Sequence, residues 1–426
     1  MNVIIVHYHL KVGGVTGVIE SQCAALARGS ASVKLFAGDD PHNTRIECNE
    51  ITLFDKLNYL DPDVPEHDSK QMYKDIRSFF ETHTDQEDIL HVHNPNLGKN
   101  PVLTLVLHDM AADGFRVVSH CHDFAEDRPR LYGFMEHVIE NIFGRVLEDV
   151  LYPGCFTFAV LNTSDLQRLV SYGVDSSQIH LLPNPVSGAR HIPEQAEREG
   201  SRASVCRALD IDTEKKIFVY PVRAIKRKNI GEVILFSLLF RERAVFVITR
   251  SPKNPAEKEL YSSWKSCAAE AEADIRFEAG ETVDFNDIMC GCDRVITTSV
   301  REGFGMAFLE PWLYGMPVVG RDLPSVTGDF SRAGIVFKGL YSSLPVGDDT
   351  DTDFSALDPD EQMKYIEILG KEKERNRFLK RTGCEQDLFA EIPDSIIIDN
   401  ADIIKDCYSV ETYGKRLQAI YRQLSS

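Results

Sequence analysis

The chain has 426 residues, 43% of them hydrophobic, and carries 66 acidic against 47 basic side chains for a formal charge of −19. It is long enough for two or three domains and apolar enough to fill their cores. The acidic balance argues against nucleic acid as the main partner and against docking on an anionic membrane surface, and leaves room for a local basic pocket.

The opening Met1-Asn2-Val3-Ile4-Ile5-Val6 reads as a strand and not as a signal peptide, because no basic flank precedes a run that is itself short. No apolar run reaches the roughly 18 residues of a membrane span. Ten scattered cysteines suit reduced thiols and a cytoplasmic location. Cys290-Gly291-Cys292 has no second Cys/His cluster nearby, so zinc is not expected there.

In the first half, short apolar runs alternate with helix-period segments. Strands are expected at Val3–Tyr8, Val33–Ala37, Ile89–His93, Arg116–His120, Phe156–Leu161 and Ile179–Leu182. Helices are expected at Gly17–Arg28, Ser69–His83, Pro101–Asp113, Leu131–Leu151 and Ser164–Tyr172, the last capped by Ser164 and stopped by Gly173. The polar stretch Ser187–Ser204 reads as a linker. The alternation then restarts: strand Ile217–Pro221, helix Asn229–Phe240, strand Ala244–Thr249, helix Lys258–Ala271 and strand Ile275–Glu278. Strand Asp293–Thr298, helix Met306–Tyr314 and strand Pro317–Gly320 follow. Gly347–Asp353 reads as a solvated acidic loop, since it lacks the spacing of a calcium loop. Val410–Leu424 is an amphipathic helix with Tyr413, Leu417, Ile420, Tyr421 and Leu424 on one stripe. The pattern predicts an α/β protein of two Rossmann-like, doubly wound parallel-sheet domains: 1–190, then 191–404, with 405–426 as a terminal helix.

The most informative run is Ser299-Val300-Arg301-Glu302-Gly303-Phe304-Gly305-Met306-Ala307-Phe308-Leu309-Glu310-Pro311. It follows a strand, turns on two glycines and enters a helix. Such a turn aims backbone N–H groups at a phosphate or a sugar hydroxyl. Two glutamates eight positions apart can hold two parts of one elongated ligand; acidic residues at a helix start also suit the dipole alone. Arg223 and Lys228 follow a strand, where open α/β sheets bind ligands, and two cations there can neutralise a diphosphate. Lys226 and Arg227 read as solvated loop cations. Gly13-Gly14-Val15-Thr16-Gly17 opens the first helix, and tight helix–strand packing would also explain it. Ser119-His120-Cys121-His122-Asp123 ends a strand. A metal on His120, His122 and Asp123 is the alternative there, and Asp123 points away from the face the two histidines share.

Glu302 and Glu310 around Gly303-Phe304-Gly305, with the Gly13–Gly17 turn, Leu181-Leu182-Pro183-Asn184-Pro185-Val186 and the Arg223/Lys228 pair in the same order, resemble retaining nucleotide-sugar glycosyltransferases of family 4. The resemblance implies the GT-B architecture, an active site in a cleft between the two domains, and a terminal helix crossing back to the first. It implies Arg223 and Lys228 on the diphosphate, Glu310 on the ribose, and Glu302 with the N–H groups of Phe304, Gly305 and Met306 on the sugar. It implies His122 on the donor sugar, Gly14 beside the diphosphate, and Gly13 and Asp123 on the acceptor. Arg128 and Arg130 could meet an anionic acceptor; a surface role suits them as well. The expected partners are a UDP- or GDP-hexose and a small polar acceptor. No Asp-x-Asp follows a plausible strand, so no metal and no other cofactor is expected. The enzyme would be a hexosyltransferase of carbohydrate biosynthesis. Its rivals are a nucleotide-sugar epimerase and a silent sugar-nucleotide-binding protein. A dehydrogenase is disfavoured by the missing dinucleotide fingerprint.

Overall fold

The structure, a computed structural model, describes residues 1–29, 31–39, 46–63, 68–186, 192–347 and 352–425. The chain divides into two compact units, Met1–Pro185 with Tyr408–Ser426, and Val186–Cys407.

The first unit is built on a seven-stranded, wholly parallel sheet. Its strands are β1 (Asn2–His7), β2 (Ser32–Ala37), β3 (Glu50–Leu53), β4 (Ile89–His93), β5 (Arg116–Cys121), β6 (Thr157–Val160) and β7 (Ile179–Leu181), in the order β3-β2-β1-β4-β5-β6-β7. Alternation of side chains along each strand feeds two cores. Ile4, Val6, Leu90 and Val92 pack on one face; Val3, Ile5, Ile89 and Val118 pack on the other. The second face is covered by helix Gly14–Ala27 and by the terminal helix Val410–Ser425, which buries Tyr413, Leu417, Ile420 and Tyr421 there. Side chains of this size contribute on the order of 1.5–3 kcal/mol each when fully buried. Gly414 lets the two helices touch: a Cβ at that position would lie 3.1 Å from the Ala25 methyl.

The second unit repeats the plan with six parallel strands: β8 (Lys216–Arg223), β9 (Ala244–Arg250), β10 (Ile275–Arg276), β11 (Arg294–Thr297), β12 (Val318–Arg321) and β13 (Gly339–Tyr341), in the order β10-β9-β8-β11-β12-β13. Phe218, Tyr220, Phe246 and Ile296 face one core; Ile217, Val219, Val245 and Val295 face the other. The strand order reverses between β1 and β4 in the first unit and between β8 and β11 in the second. In sheets of this kind such a reversal marks the place, at the carboxyl ends of the strands, where ligands bind.

Several expectations need correction. Residues 195–204 of the expected linker form most of a helix, Gln195–Leu209; its residues Ser201, Val205 and Cys206 are buried, so no apolar stripe announces it. Residues 187–191 of that stretch lie outside the described residues. The helix expected at Leu131–Leu151 breaks: Pro129–Glu136 continues as a π-helical turn to Ile142, Gly144 adopts φ +67, and a second helix spans Leu147–Leu151. Helix Thr163–Ser171 is capped by Asn162, whose Oδ1 accepts from the Asp165 N–H at 2.8 Å, and not by Ser164. The helix expected from Met306 becomes a 3-10 turn, Met306–Phe308, and a four-residue helix, Glu310–Leu313, started at Pro311. Asp353 of the acidic loop is no solvated carboxylate, because it pairs with Arg321 at 2.9 Å; residues 348–351 of that loop lie outside the described residues. All ten cysteines are free thiols.

Candidate functional site

In the second unit the candidate residues meet where β8 and β11 end. Beyond β8 the chain makes a 3-10 turn, Lys226–Lys228, and leaves through Asn229 in the left-handed region at φ +49. The turn is tied to the segment after β11. Thr298 Oγ1 donates to the Lys228 carbonyl at 2.9 Å, and the Val300 N–H donates to the Arg227 carbonyl at 3.0 Å. Lys228 therefore points at Glu302. Nζ and Oε1 form an ion pair, and the two side chains are only 10% and 8% exposed. Arg227 closes on the other oxygen, Nη1 to Oε2, at 2.5 Å, and also donates to the Arg301 carbonyl at 2.9 Å. Ser299 Oγ donates to Glu302 Oε1 at 2.5 Å and lies 2.6 Å from the Tyr220 hydroxyl. Burial alone would raise the Glu302 pKa. Lys228 and Arg227 more than offset it and hold the carboxyl below its ordinary value.

Asn229 is held from below. Its Nδ2 donates to Glu232 Oε2 at 2.7 Å, and Gln362 Nε2 donates to its Oδ1 at 3.3 Å. Glu232 is fully buried and paired with Arg321, and the Tyr341 hydroxyl donates to it as well. Arg223 ends β8 half-buried, and no acidic side chain among the described residues pairs with it. Glu310 is half-buried with no cation beside it among the described residues, and burial pushes its carboxyl up to about 7. Gly305 takes φ +89 with a neighbour so close that a Cβ would lie 2.4 Å from Val326 Cγ1, so no other residue suits this turn.

In the first unit, five histidines stand at alternate positions on one face of three adjacent strands: His7 on β1, His91 and His93 on β4, and His120 on β5 with His122 just beyond it. All are buried. The β4–β5 register, which pairs His93 with His120, brings them together. His91 Nε2 and His120 Nδ1 share a hydrogen bond at 3.1 Å, as do His93 Nδ1 and His122 Nε2 at 2.9 Å. His93 Nε2 also bonds Gln22 Oε1 at 2.8 Å, and His91 Nδ1 bonds the Tyr421 hydroxyl at 2.8 Å. Gln22 Nε2 donates to that hydroxyl at 3.0 Å and closes the chain. Burial, reinforced by repulsion between the rings, holds all five below the ordinary imidazole value, His7 and His91 at about 3. They are neutral at pH 7. Nitrogens of His91, His93 and His120 lie within 4.8 Å of one another, a spacing that could hold a metal. All their ring nitrogens except His120 Nε2 are already hydrogen-bonded.

Asn94, left-handed at φ +58, shapes the turn that carries His122 and Asp123. Its Oδ1 accepts from their N–H groups at 2.7 and 3.1 Å. Asp123 pairs with Arg128 at 3.1 Å, and Arg130 pairs with Asp63. Lys99 sits half-buried over the Tyr59 ring, 4.8 Å from its centroid. Burial, and then Arg128 and Arg130, lower its pKa. An added Cβ at Gly14 or Gly17 would meet no atom within 4 Å, so packing does not explain these glycines.

Sequence reasoning missed Arg227, Asn94, Gln22 and Tyr421 here. Arg227 looked like a solvated cation within a basic run, and the other three are recognised only through partners far away in sequence.

Residues 12–190 match the model of the Glycosyltransferase Family 4. Two curated relatives come from Petrotoga mobilis. Mannosylglucosyl-3-phosphoglycerate synthase is 26% identical over 72% of this chain, which spans 62% of that relative's length. Mannosylglucosylglycerate synthase is 22% identical over 80% of this chain and 87% of its own. Among solved structures, sucrose-phosphate synthase from Thermosynechococcus elongatus is 14% identical with a TM-score of 0.59, covering 99% of this chain and 98% of that one. Anabaena HepE, solved with UDP-glucose, is 14% identical with a TM-score of 0.58, covering 100% of this chain and 99% of that one. At that identity the structural likeness is one of fold, the two-Rossmann GT-B architecture. The resemblance read from the sequence is thus shown by family model, relatives and fold together. No described helix is long and apolar enough to cross a membrane.

Proposed function

We propose that this chain, similar to family 4 glycosyltransferases over residues 12–190, is a retaining hexosyltransferase that uses a nucleotide-diphosphate sugar, UDP- or GDP-linked, and a small soluble anionic acceptor. The observation that carries the reading is the buried Lys228–Glu302 pair at the carboxyl ends of β8 and β11, with Arg227 beside it and Glu310 a few residues on. Lys228 and Arg223 meet the diphosphate, whose negative charge grows as the glycosidic bond to phosphate breaks. Glu302 accepts from the hydroxyls of the transferred sugar, the Gly303–Met306 turn lies against it, and Glu310 accepts from the ribose. Gly14 leaves room beside the diphosphate, and His122 meets a donor-sugar hydroxyl.

The acceptor oxygen attacks the anomeric carbon on the face the leaving group departs from. Its proton passes to the departing phosphate oxygen, so configuration is retained without an enzyme nucleophile. No step needs a metal. Support for an anionic acceptor comes from Lys99, Arg128 and Arg130 gathered around Asp123 at the carboxyl end of β5. The relatives' names also speak of phosphoglycerate and glycerate, both anions.

The test combines a thermal-shift panel of UDP-, GDP- and ADP-hexoses with product analysis against soluble sugar acids and their phosphates. A donor at 100 times its Kd should stabilise the protein by about 2.7 kcal/mol. Transfer with retention is the expected result. Donor consumed without any acceptor, or bound and never turned over, would replace the reading by an epimerase or a silent binder.

A further inference from the structure

The histidine chain has a property that its buried position makes strict. A neutral imidazole has one N–H and one bare nitrogen, so each ring passes a hydrogen-bond direction from one side to the other. With Gln22 Oε1 facing His93 and Nε2 facing Tyr421, the directions are forced. His93 donates from Nε2, so its Nδ1 is bare and His122 must donate from Nε2. On the other arm, Tyr421 receives from Gln22 and donates to His91 Nδ1; His91 then donates from Nε2 to His120. Rotating the Gln22 amide by half a turn reverses every bond in both arms. One amide therefore selects between two states of four rings; in the one with Gln22 Oε1 facing His93, His120 accepts at Nδ1 and carries its proton on the unpaired Nε2.

We infer that Gln22, seconded by Tyr421, is a positioning residue that fixes His122 as the Nε2–H tautomer and leaves Nδ1 as a bare acceptor for a ligand hydroxyl. Gln22 reaches no ligand atom in this role and acts through His93. His122 keeps 6% of its surface exposed, whereas His120 is fully buried with Nε2 unpaired, so of the two arms the one through His93 ends nearer the surface. The hydroxyl chemistry rests on the function proposed above; the tautomer does not.

The test is two-bond proton–nitrogen correlation on the full chain labelled with 15N-histidine, with His122 assigned from the His122→Gln spectrum. Wild type should show His122 protonated at Nε2 alone. Gln22→Leu, shown folded by its melting curve, should show both His122 tautomers and about a tenfold lower kcat, the scale of one hydrogen bond, with donor KM changed less. Gln22→Glu, whose two oxygens both accept, should keep the His122 tautomer and move the His91 proton to Nδ1. A wild-type His122 protonated at Nδ1 or populated in both forms would overturn the inference whether or not any variant folds. So would a His122 spectrum unmoved in Gln22→Leu, or one equivalent of zinc bound at His91, His93 and His120. Absence of turnover in the wild type would count against the transferase reading alone.

Discussion

Arg321 and Glu232 form a two-pronged ion pair inside the second unit, Nη2 to Oε2 at 2.7 Å and Nε to Oε1 at 3.1 Å, with Glu232 fully buried. The same carboxylate fixes Asn229, and Asn229 follows Lys228. A structural ion pair thereby sets the aim of a candidate catalytic cation.

Removing Glu232 takes the two-pronged partner from buried Arg321 and leaves it only the partly exposed Asp353 at 2.9 Å. Glu232→Ala should cost about 3–5 kcal/mol in denaturant unfolding. Pairing it with Arg321→Met should recover much of that loss. Glu232→Ala with unchanged stability would show that the pair is solvated in solution.

Lys228→Ala should lower kcat by ~10²-fold or more, the scale of one lost electrostatic donor. Arg227→Ala should cost less, because that side chain is 45% exposed and its pairing is screened. Activity should survive a chelator. Steady-state kinetics with and without EDTA checks all three, and a strict demand for magnesium would contradict the metal-free mechanism.

Glu310 gives a pH signature. Burial raises its carboxyl from an ordinary 4.5 to about 7 in the folded protein. Between these values the unfolded chain has released the proton and the folded chain keeps it. Stability from this group should therefore fall as pH rises from about 4.5 to about 7 and stay low above that. Glu310→Gln should flatten that segment of the melting temperature against pH. Glu310→Ala should raise donor KM more than it lowers kcat if the side chain holds the ribose.

Lys99→Ala and Arg128→Ala should raise the KM for an anionic acceptor and leave donor KM nearly unchanged. Arg130→Ala should do less, since Arg130 is 64% exposed and already paired with Asp63. Co-sedimentation with anionic vesicles should be weak. Tight vesicle binding with transfer only to a lipid-linked acceptor would defeat the soluble-acceptor assignment.

The parallel sheets were legible because strands buried on both faces read as apolar runs: Val3–Tyr8, Ile89–His93 and Ala244–Thr249 each fall within about a residue of the observed strand at either end. β3 was not, since Glu50–Leu53 is a largely exposed edge strand with little hydrophobic signal. Helix Gln195–Leu209 was hidden by its polarity, and the break near Leu309 was written only in Pro311. At the candidate sites, Glu302 and Lys228 stood out by motif, whereas their pairing spans 74 residues and needed the fold. Gln22 and Tyr421 lie 399 residues apart, beyond the reach of any local pattern.

The terminal helix has a consequence for how the protein is made. Val18, Ile19 and Leu26 share one apolar cluster with Tyr413, Leu417, Ile420 and Tyr421, and these partners are translated only after the whole second unit. While the ribosome synthesises the entire second unit, the first carries an uncovered greasy stripe and a histidine face without Tyr421. The nascent chain must be shielded through that interval, and a transcript cut short anywhere before Val410 yields a sticky product. A stop codon just before Val410 should thus be as damaging as one within the second unit.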